Sequence, residues 1–260
     1  MKNTKVVFMG TPDFAVPILE GLIENYNVIG VVSQPDKRVG RKQELVNTPI
    51  KEVALRNNIV VFQPEKIRED YQDILDLNPD IIVTCAYGQI IPKEILDYPK
   101  LGCINVHGSL LPKLRGGAPI HWSIINGDSK TGMTVMYMDV KMDSGDIISQ
   151  RETDILESDN LESLYDRMSL IGRDLLLDTL PSIIDGTNSR TKQNEEEVTF
   201  GFNIPVKKYL DTVRVYFRTT NPFMIWSAEP DIDPDVAING YRTADVPMTR
   251  SFVFGVNLTM

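Results

Sequence analysis

Short apolar runs alternate with segments of helical periodicity along the first half of the chain. The apolar runs have the length of strands and lie at residues 5–9, 28–32, 59–62, 81–86 and 101–107. Apolar positions with helical spacing lie between them and predict helices at residues 18–24, 49–57, 65–77 and 93–97. Almost wholly apolar strands that alternate with helices are typical of a parallel sheet covered on both faces. The pattern therefore predicts an α/β fold with a Rossmann-like, largely parallel sheet and helices on both faces.

Polar side chains at the ends of the predicted strands are candidates for chemistry, because ligands of such sheets bind beyond the carboxyl ends of the strands. Asn105 and His107 lie two residues apart at the end of one strand, so alternation points both side chains the same way. Asp143 follows another strand-like run, residues 134–138. An amide donor, an imidazole and a carboxylate at strand ends are suited to acyl transfer.

Each of these residues also has a structural interpretation. A single histidine at a strand end is more often a hydrogen-bonded structural residue than a catalyst, and Asp143 lies in Asp-Ser-Gly-Asp, which is also good turn chemistry. His121 lies in a helical pattern, where a structural role is expected. The position of Asn105 on the same face as His107 favours the catalytic interpretation of that pair.

Composition narrows the function classes. The chain has 260 residues and a net charge of −9, which argues mildly against a nucleic-acid protein. It has only two histidines and two cysteines, which argues against a zinc site. Cys85 and Cys103 fall in predicted strands without a CxxC motif, so we expect reduced core residues. No apolar run has the length of a signal peptide core or a membrane span, so we expect a cytoplasmic monomer. The first strand ends at Gly10 without GxGxxG, which leaves a nicotinamide or flavin cofactor unsupported.

One basic segment contrasts with the acidic balance of the chain. Four cations lie within six residues around Gly40, namely Lys37, Arg38, Arg41 and Lys42. A solvated loop is the simpler interpretation of this long polar segment. A positive loop on an acidic protein is also suited to steering a polyanion.

Several motifs together resemble the folate-dependent formyltransferase superfamily. They are NVHGSLLP at residues 105–112, RGGAPI at 115–120 and DSGD at 143–146. Four more resemble the members that act on methionyl-tRNA, namely GTPDFAVPIL at residues 10–19, QPDKRVGRK at 34–42, AYGQIIP at 86–92 and TGMTVMYMD at 131–139. The resemblance covers roughly residues 3–204.

The resemblance implies an N-formyltransferase that carries the formyl group of 10-formyltetrahydrofolate to the methionine amino group of initiator methionyl-tRNA. It implies catalytic roles for Asn105, His107 and Asp143 and no metal. A contact with the folate is implied for the turn Ser109, Leu110, Leu111 and Pro112. The second folate segment is expected at a neighbouring strand end, at Ala86, Tyr87, Gly88, Gln89 and Ile90. The tRNA contact maps onto Arg38, Arg41 and Lys42. An amino sugar on a nucleotide carrier is the alternative formyl acceptor, and a non-enzymatic binding module is the third hypothesis.

The end of the chain departs from the pattern of these relatives, which carry a linker and a further β-barrel domain. Arg218, Asn221 and Pro222 match a linker motif, but the acidic, proline-punctuated stretch at residues 231–235 does not suit a tRNA-binding barrel. We therefore expect a formyltransferase catalytic domain at residues 1–204. Residues 205–260 are expected to form a linker and a small, shortened or atypical β-rich portion.

Overall fold

The apolar runs pair into a single seven-stranded sheet in the computed structural model, which describes residues 3–40 and 42–204 and the backbone of residues 212–220 and 251–259. The chain divides into two units, Met1–Ile204 and Pro205–Met260. The order of strands in the sheet is β5-β2-β1-β6-β7-β8-β9. These strands are β1 (Lys5–Gly10), β2 (Asn27–Val32), β5 (Val61–Phe62), β6 (Ile81–Cys85), β7 (Cys103–His107), β8 (Lys130–Tyr137) and β9 (Ile147–Asp154).

The five strands from β5 to β7 are parallel, which confirms the prediction of a largely parallel sheet. The other two run differently, because β8 pairs antiparallel with β7 and β9 pairs antiparallel with β8. Helices cover both faces, as predicted. They are α1 (Val16–Asn25), α2 (Pro49–Arg56), α3 (Gln72–Asp76), α4 (Lys93–Leu96), α5 (Pro119–Ile125) and α6 (Leu161–Ile184).

Alternation along the strands divides the apolar side chains between two cores. On β1, Val6 and Phe8 pack with residues of α1, α2 and α6, whereas Val7 and Met9 pack with residues of α3 and α4. Every residue of β6 is buried. Because the central strands are covered on both faces, ligands are restricted to the edges where the strands end.

The segment predicted as a helix at residues 65–77 is helical only at Gln72–Asp76. The side chain of Gln89 binds the backbone of the earlier part. Its Oε1 accepts from the Ile67 amide at 2.8 Å, and its Nε2 donates to the carbonyls of Pro64 at 3.1 Å and Glu65 at 3.3 Å. The prediction of a helix was therefore wrong at residues 65–71, where the backbone binds this distant side chain instead of continuing the helix.

The basic segment forms a short hairpin instead of an irregular loop. Strands β3 (Lys37–Val39) and β4 (Glu44–Val46) pair antiparallel, and Gly40 adopts a positive φ of 73° at the turn. Two further strands, β10 (Thr212–Thr220) and β11 (Ser251–Thr259), pair antiparallel within the second unit. The expected linker and β-rich portion otherwise falls outside the described residues. Within the described part, no helix combines the length and apolar character needed to cross a membrane.

Two leucines of α6 test how much the core between the sheet and the helices α1, α2 and α6 contributes to stability. Leu176 is fully buried, whereas Leu170 on the same helix is 45% exposed. We expect Leu176→Ala to lower the free energy of unfolding by about 2–5 kcal/mol, because it removes apolar contacts and leaves a cavity. Leu170→Ala should cost less than about 1 kcal/mol. Urea denaturation followed by circular dichroism measures both, and equal losses would contradict this position of α6.

Candidate active site

The candidate residues of the sequence meet on one face at the carboxyl end of β7. Asn105 and His107 share that face by alternation, and His107 ends the strand. The carboxylate of Asp143 lies beside the imidazole, with 3.8 Å between His107 Nδ1 and Asp143 Oδ1. The structure therefore brings His107 and Asp143 together at one edge of the sheet.

Asp143 reaches this edge by a route that the sequence pattern did not predict. Because β8 is antiparallel to β7, its last residue, Tyr137, pairs with Ile104, away from His107. The chain then folds back as the β8–β9 loop, residues 138–146, and returns to pair Ile147 with Met136. Asp143 is therefore a loop residue that follows β8, as expected, and approaches His107 although β8 runs antiparallel to β7.

A backbone carbonyl determines which nitrogen of His107 carries a proton. The imidazole is buried, and its Nε2 lies 3.0 Å from the carbonyl oxygen of Leu114. A carbonyl only accepts, so Nε2 is the protonated nitrogen and donates to it. Nδ1 faces Asp143 and is the atom at which His107 takes up or releases a proton.

A backbone amide holds the carboxylate in place. Asp143 Oδ2 accepts from the Gly116 amide at 2.8 Å, and the side chain is 14% exposed. The 3.8 Å between the nearest oxygen and Nδ1 is longer than a hydrogen bond. Such separations commonly shorten when a substrate binds.

The Asn105 amide contacts a buried hydroxyl on the neighbouring strand. Thr84 Oγ1 lies 2.8 Å from Asn105 Oδ1 and donates to it. The Nδ2 amino group of Asn105 therefore points away from Thr84. The amino group of Asn105 and Nδ1 of His107 are thus presented on one face of β7.

Three of the six non-glycine residues with positive φ in the described part of the chain lie around these side chains. Ala86, Leu114 and Asp143 have positive φ values of 48°, 56° and 50°. Each such residue costs on the order of 1–3 kcal/mol, and strain of this kind clusters at functional sites. Ala86 follows β6, Leu114 binds His107 and Asp143 faces it, so all three belong to the same edge.

The turn predicted to bind a folate is built largely on internal hydrogen bonds. Ser109 is buried and donates from Oγ to the Lys113 carbonyl at 2.6 Å. Leu111 is buried and donates its amide to Thr134 Oγ1 at 3.2 Å. Leu110 and Pro112 are half-buried. Ser109 and Leu111 therefore shape the turn, and Leu110 and Pro112 present its accessible surface.

The second predicted folate segment presents both buried and exposed groups. Ile90 is 76% exposed, and Ala86 and Gly88 are also exposed. Gln89 and Ile90 line an open groove of about 480 Å³ together with Gln34, Glu65, Lys66, Arg68 and Glu69. Tyr87 is buried, and burial raises the pKa of its phenol to about 12.

The basic hairpin is exposed and carries the predicted tRNA contacts. Arg38 donates from Nη1 to the Gln43 carbonyl at 3.0 Å, and Lys42 is exposed. Arg41 lies outside the described residues. The two cysteines are buried, and burial raises the pKa of both thiols, so neither forms a thiolate readily.

Several residues that support the site were not identified from the sequence. Leu114 and Gly116 act through backbone groups, which leave no trace in residue type. Gln193, fifty positions after Asp143, donates from Nε2 to the Asp143 carbonyl at 2.8 Å. Thr84 did carry a signal, because it is the one hydroxyl in an otherwise apolar strand.

Comparison with known proteins identifies a family that this chain matches. A family model described as formyl transferase matches residues 4–180. The chain is 57% identical over 204 residues to the methionyl-tRNA formyltransferase of Bacillus subtilis strain 168. The matched segment covers 77% of this chain and 64% of that relative. Over 212 residues the chain is 55% identical to the methionyl-tRNA formyltransferase of Lactiplantibacillus plantarum, which is 80% of this chain and 67% of the relative. The chain spans about two thirds of the length of such relatives.

Solved structures of lower identity share the fold. A phosphoribosylglycinamide formyltransferase from Bacillus halodurans matches with a TM-score of 0.59 at 23% identity, over 70% of this chain and 95% of that one. A 4-N formyltransferase from Francisella tularensis matches with a TM-score of 0.59 at 21% identity, over 78% and 77%. These likenesses concern the fold alone.

The buried phenol of Tyr87 provides a test of the packing at this edge. Its hydroxyl has no hydrogen-bond partner among the described residues. A buried polar group without a partner costs about 1–3 kcal/mol. We therefore expect Tyr87→Phe to leave the free energy of unfolding unchanged or to raise it by about 1 kcal/mol in urea denaturation. A loss of more than about 1 kcal/mol would show that the hydroxyl is satisfied within the folded protein.

Proposed function

The chain belongs to the formyl transferase family, and we propose that it transfers the formyl group of 10-formyltetrahydrofolate to the amino group of methionine on initiator methionyl-tRNA. The identity of 57% over 204 residues to a methionyl-tRNA formyltransferase supports this acceptor. The arrangement of His107 and Asp143 at 3.8 Å beside Asn105 supports the chemistry. The reaction would serve translation initiation in the cytoplasm, by a monomer.

The proposal assigns catalysis to residues 1–204, with Asn105, His107 and Asp143 as the catalytic residues. Residues 205–260 are assigned to a linker and an atypical β-rich portion. The folate would contact the turn at residues 109–112 and the segment at residues 86–90. No step of the proposed chemistry requires a metal.

The reaction forms one carbon–nitrogen bond and breaks another. The primary amine of methionine attacks the formyl carbon, and the carbonyl oxygen becomes negative while the attacking nitrogen becomes positive. The nitrogen then loses a proton, and the bond from the formyl carbon to the folate nitrogen breaks. The leaving group is a substituted aniline nitrogen, which takes up the proton that the amine has lost, delivered by Asp143 directly or through one water, and departs as the neutral amine. A covalent enzyme intermediate is therefore unnecessary.

Each catalytic side chain has an assigned task in this scheme. The Nδ2 amino group of Asn105 and protonated Nδ1 of His107 donate to the developing oxyanion. Asp143 stabilises the imidazolium from 3.8 Å and accepts the proton of the amine directly or through one water. The Leu114 carbonyl keeps Nε2 occupied, so proton transfer is confined to the side of the ring that faces Asp143.

The acceptor is tested by a direct assay. The purified chain is incubated with 10-formyltetrahydrofolate and either methionyl-tRNA or a panel of nucleotide-linked amino sugars. Formyl transfer to methionyl-tRNA alone is the expected result. Transfer to an amino sugar instead would replace the acceptor and keep the chemistry, and transfer to neither would favour a binding module.

Substitution of the catalytic pair should abolish transfer without unfolding the protein. We expect His107→Ala and Asp143→Ala each to lower kcat by at least ~10², since loss of an oxyanion donor typically costs ~10²–10³ and loss of a general base ~10²–10⁴. His121→Ala is the matched control, because His121 is the second histidine and lies half-buried on α5. Circular dichroism verifies the fold of each variant. Near-wild-type turnover in either catalytic variant would refute the mechanism.

Neutralising the basic hairpin should weaken use of the tRNA. We expect Arg41→Ala combined with Lys42→Ala to raise KM for methionyl-tRNA, because phosphate contacts are lost. The slope of log affinity against log salt should fall by roughly one unit per lost contact. Folate binding should hardly change.

A double variant with the same charge change serves as the control for the hairpin. Arg56 and Lys100 are exposed, and Arg56 ends α2 while Lys100 precedes β7, so both lie away from the carboxyl edge. Their combined replacement by alanine should leave KM for the tRNA and its salt dependence unaltered. If both double variants weaken use of the tRNA equally, the effect comes from the change in net charge and not from the hairpin.

A further inference from the structure

A strap of residues 191–201 crosses the candidate site and binds it at several points. It is held to the sheet by the exchange of backbone hydrogen bonds between Ile147 and Thr191, at 2.8 and 2.9 Å. Farther along, the Arg115 amide donates to the Thr199 carbonyl at 2.9 Å, and the Gly201 amide donates to the Arg115 carbonyl at 2.7 Å. The strap therefore fixes the turn at residues 114–116, from which the Leu114 carbonyl and the Gly116 amide contact His107 and Asp143.

One side chain of the strap binds the catalytic loop directly. Gln193 donates from Nε2 to the carbonyls of Asp143 and Gly145, both at 2.8 Å. Its Oε1 accepts from Arg115 Nε at 3.0 Å. The two donors and the acceptor of this amide are thus all used, which allows a single orientation.

Arg115 provides a rigid anchor for this amide. The guanidinium is 4% exposed, and its remaining nitrogens pair with Glu195 at 2.9 and 3.4 Å. The hydrogen bond from Arg115 holds the pKa of the Glu195 carboxyl below its usual range. A buried arginine that is bound on both sides leaves Gln193 little freedom to move.

The loop that carries Asp143 needs such an anchor, because its backbone is strained. Asp143 has a φ of 50°, and at Gly145 an added Cβ would lie 1.9 Å from the Tyr137 carbonyl oxygen. A left-handed aspartate costs energy and persists only where the surroundings enforce it. The two carbonyls that Gln193 holds belong to these two residues.

We propose that Gln193 is a positioning residue for the proposed formyl transfer, which holds the strained Asp143 loop so that the carboxylate faces His107 Nδ1. The inference rests on the proposed function for its activity assay. Gln193 itself does not touch the reacting atoms. Its effect passes through Asp143, whose displacement by even 1 Å is enough to cost on the order of 10²-fold in rate.

Two variants separate the contacts of Gln193. Gln193→Met keeps the length of the side chain and removes all three hydrogen bonds. Gln193→Glu keeps an acceptor for Arg115 but turns a carboxylate oxygen toward two carbonyls. We expect both to lower kcat roughly 10–100-fold with little change in KM for 10-formyltetrahydrofolate. Near-wild-type kcat in Gln193→Glu would mean that only the contact to Arg115 matters, which overturns the proposal.

Asn194→Ala is the matched control on the strap. The Asn194 side chain is exposed and accepts from the Glu196 amide at 3.1 Å, so this variant removes a hydrogen bond of the same strap. We expect it to keep wild-type kcat. An equal loss in Asn194→Ala would show that general loosening of the strap explains the effect.

A double-mutant cycle distinguishes positioning from structural damage. In an Asp143→Ala background the carboxylate is absent, so Gln193→Met should have no further effect on the residual rate. A further loss of the full 10–100-fold would mean that Gln193 acts elsewhere, and the proposal would be wrong.

A readout without the acceptor keeps this inference separate from the proposed function. The chain has two histidines, so the ring-proton NMR signals of His107 can be followed at fixed pH with His121 as internal reference. Gln193→Met should move the His107 signals toward those of Asp143→Ala and leave His121 in place. Unmoved His107 signals would refute the positioning role, whatever the activity of the wild type. Inactivity of the wild type on methionyl-tRNA would by itself refute only the proposed function.

Discussion

The burial of β6 and β7 on both faces is the constraint from which the geometry of the site follows. A polar side chain on such a strand must find hydrogen bonds within the protein, since an unpaired buried group is costly. Thr84 meets this requirement through Asn105, and His107 meets it through the Leu114 carbonyl. The hydrogen bond that satisfies His107 also selects its tautomer, because a carbonyl only accepts. Packing and chemistry therefore depend on the same contacts.

Much of the architecture could be predicted because it is encoded locally. Apolar runs of strand length and helical spacing between them are properties of short segments, and they indicate the parallel strands and most of the helices before β8. The prediction of a helix at residues 65–77 was wrong in its first half. There the side chain of Gln89 forms hydrogen bonds with the backbone of Pro64, Glu65 and Ile67, a distant contact that no local pattern reveals. The hairpin strands β3 and β4, the edge strand β9 and the long helix α6 lie outside the predicted set. The Asn160 and Ser163 capping box at the start of α6 was the available signal for that helix.

The candidate site could likewise be predicted from the sequence only in part. Residue types and strand alternation indicate Asn105 and His107, the position after a strand-like run indicates Asp143, and the resemblance to formyltransferases implies catalytic roles for all three. The path of Asp143 could not be derived, because the direction of β8 depends on pairing and not on its own sequence. Leu114 and Gly116 contribute a carbonyl and an amide, which every residue type other than proline supplies. Their selection is a matter of tertiary position, so a sequence pattern does not reveal it.

The two edges of the seven-stranded sheet bear on how the protein behaves at high concentration. A long, flat, apolar edge strand offers unpaired amides and carbonyls to other chains and promotes aggregation. At one edge β5 contains only two residues, Val61–Phe62. At the other edge β9 carries charged residues along its exposed half, including Arg151, Glu152 and Asp154, and its first residue is already paired with Thr191. Neither end of the sheet is a good template for a further strand, so association of this unit through its sheet edges is disfavoured.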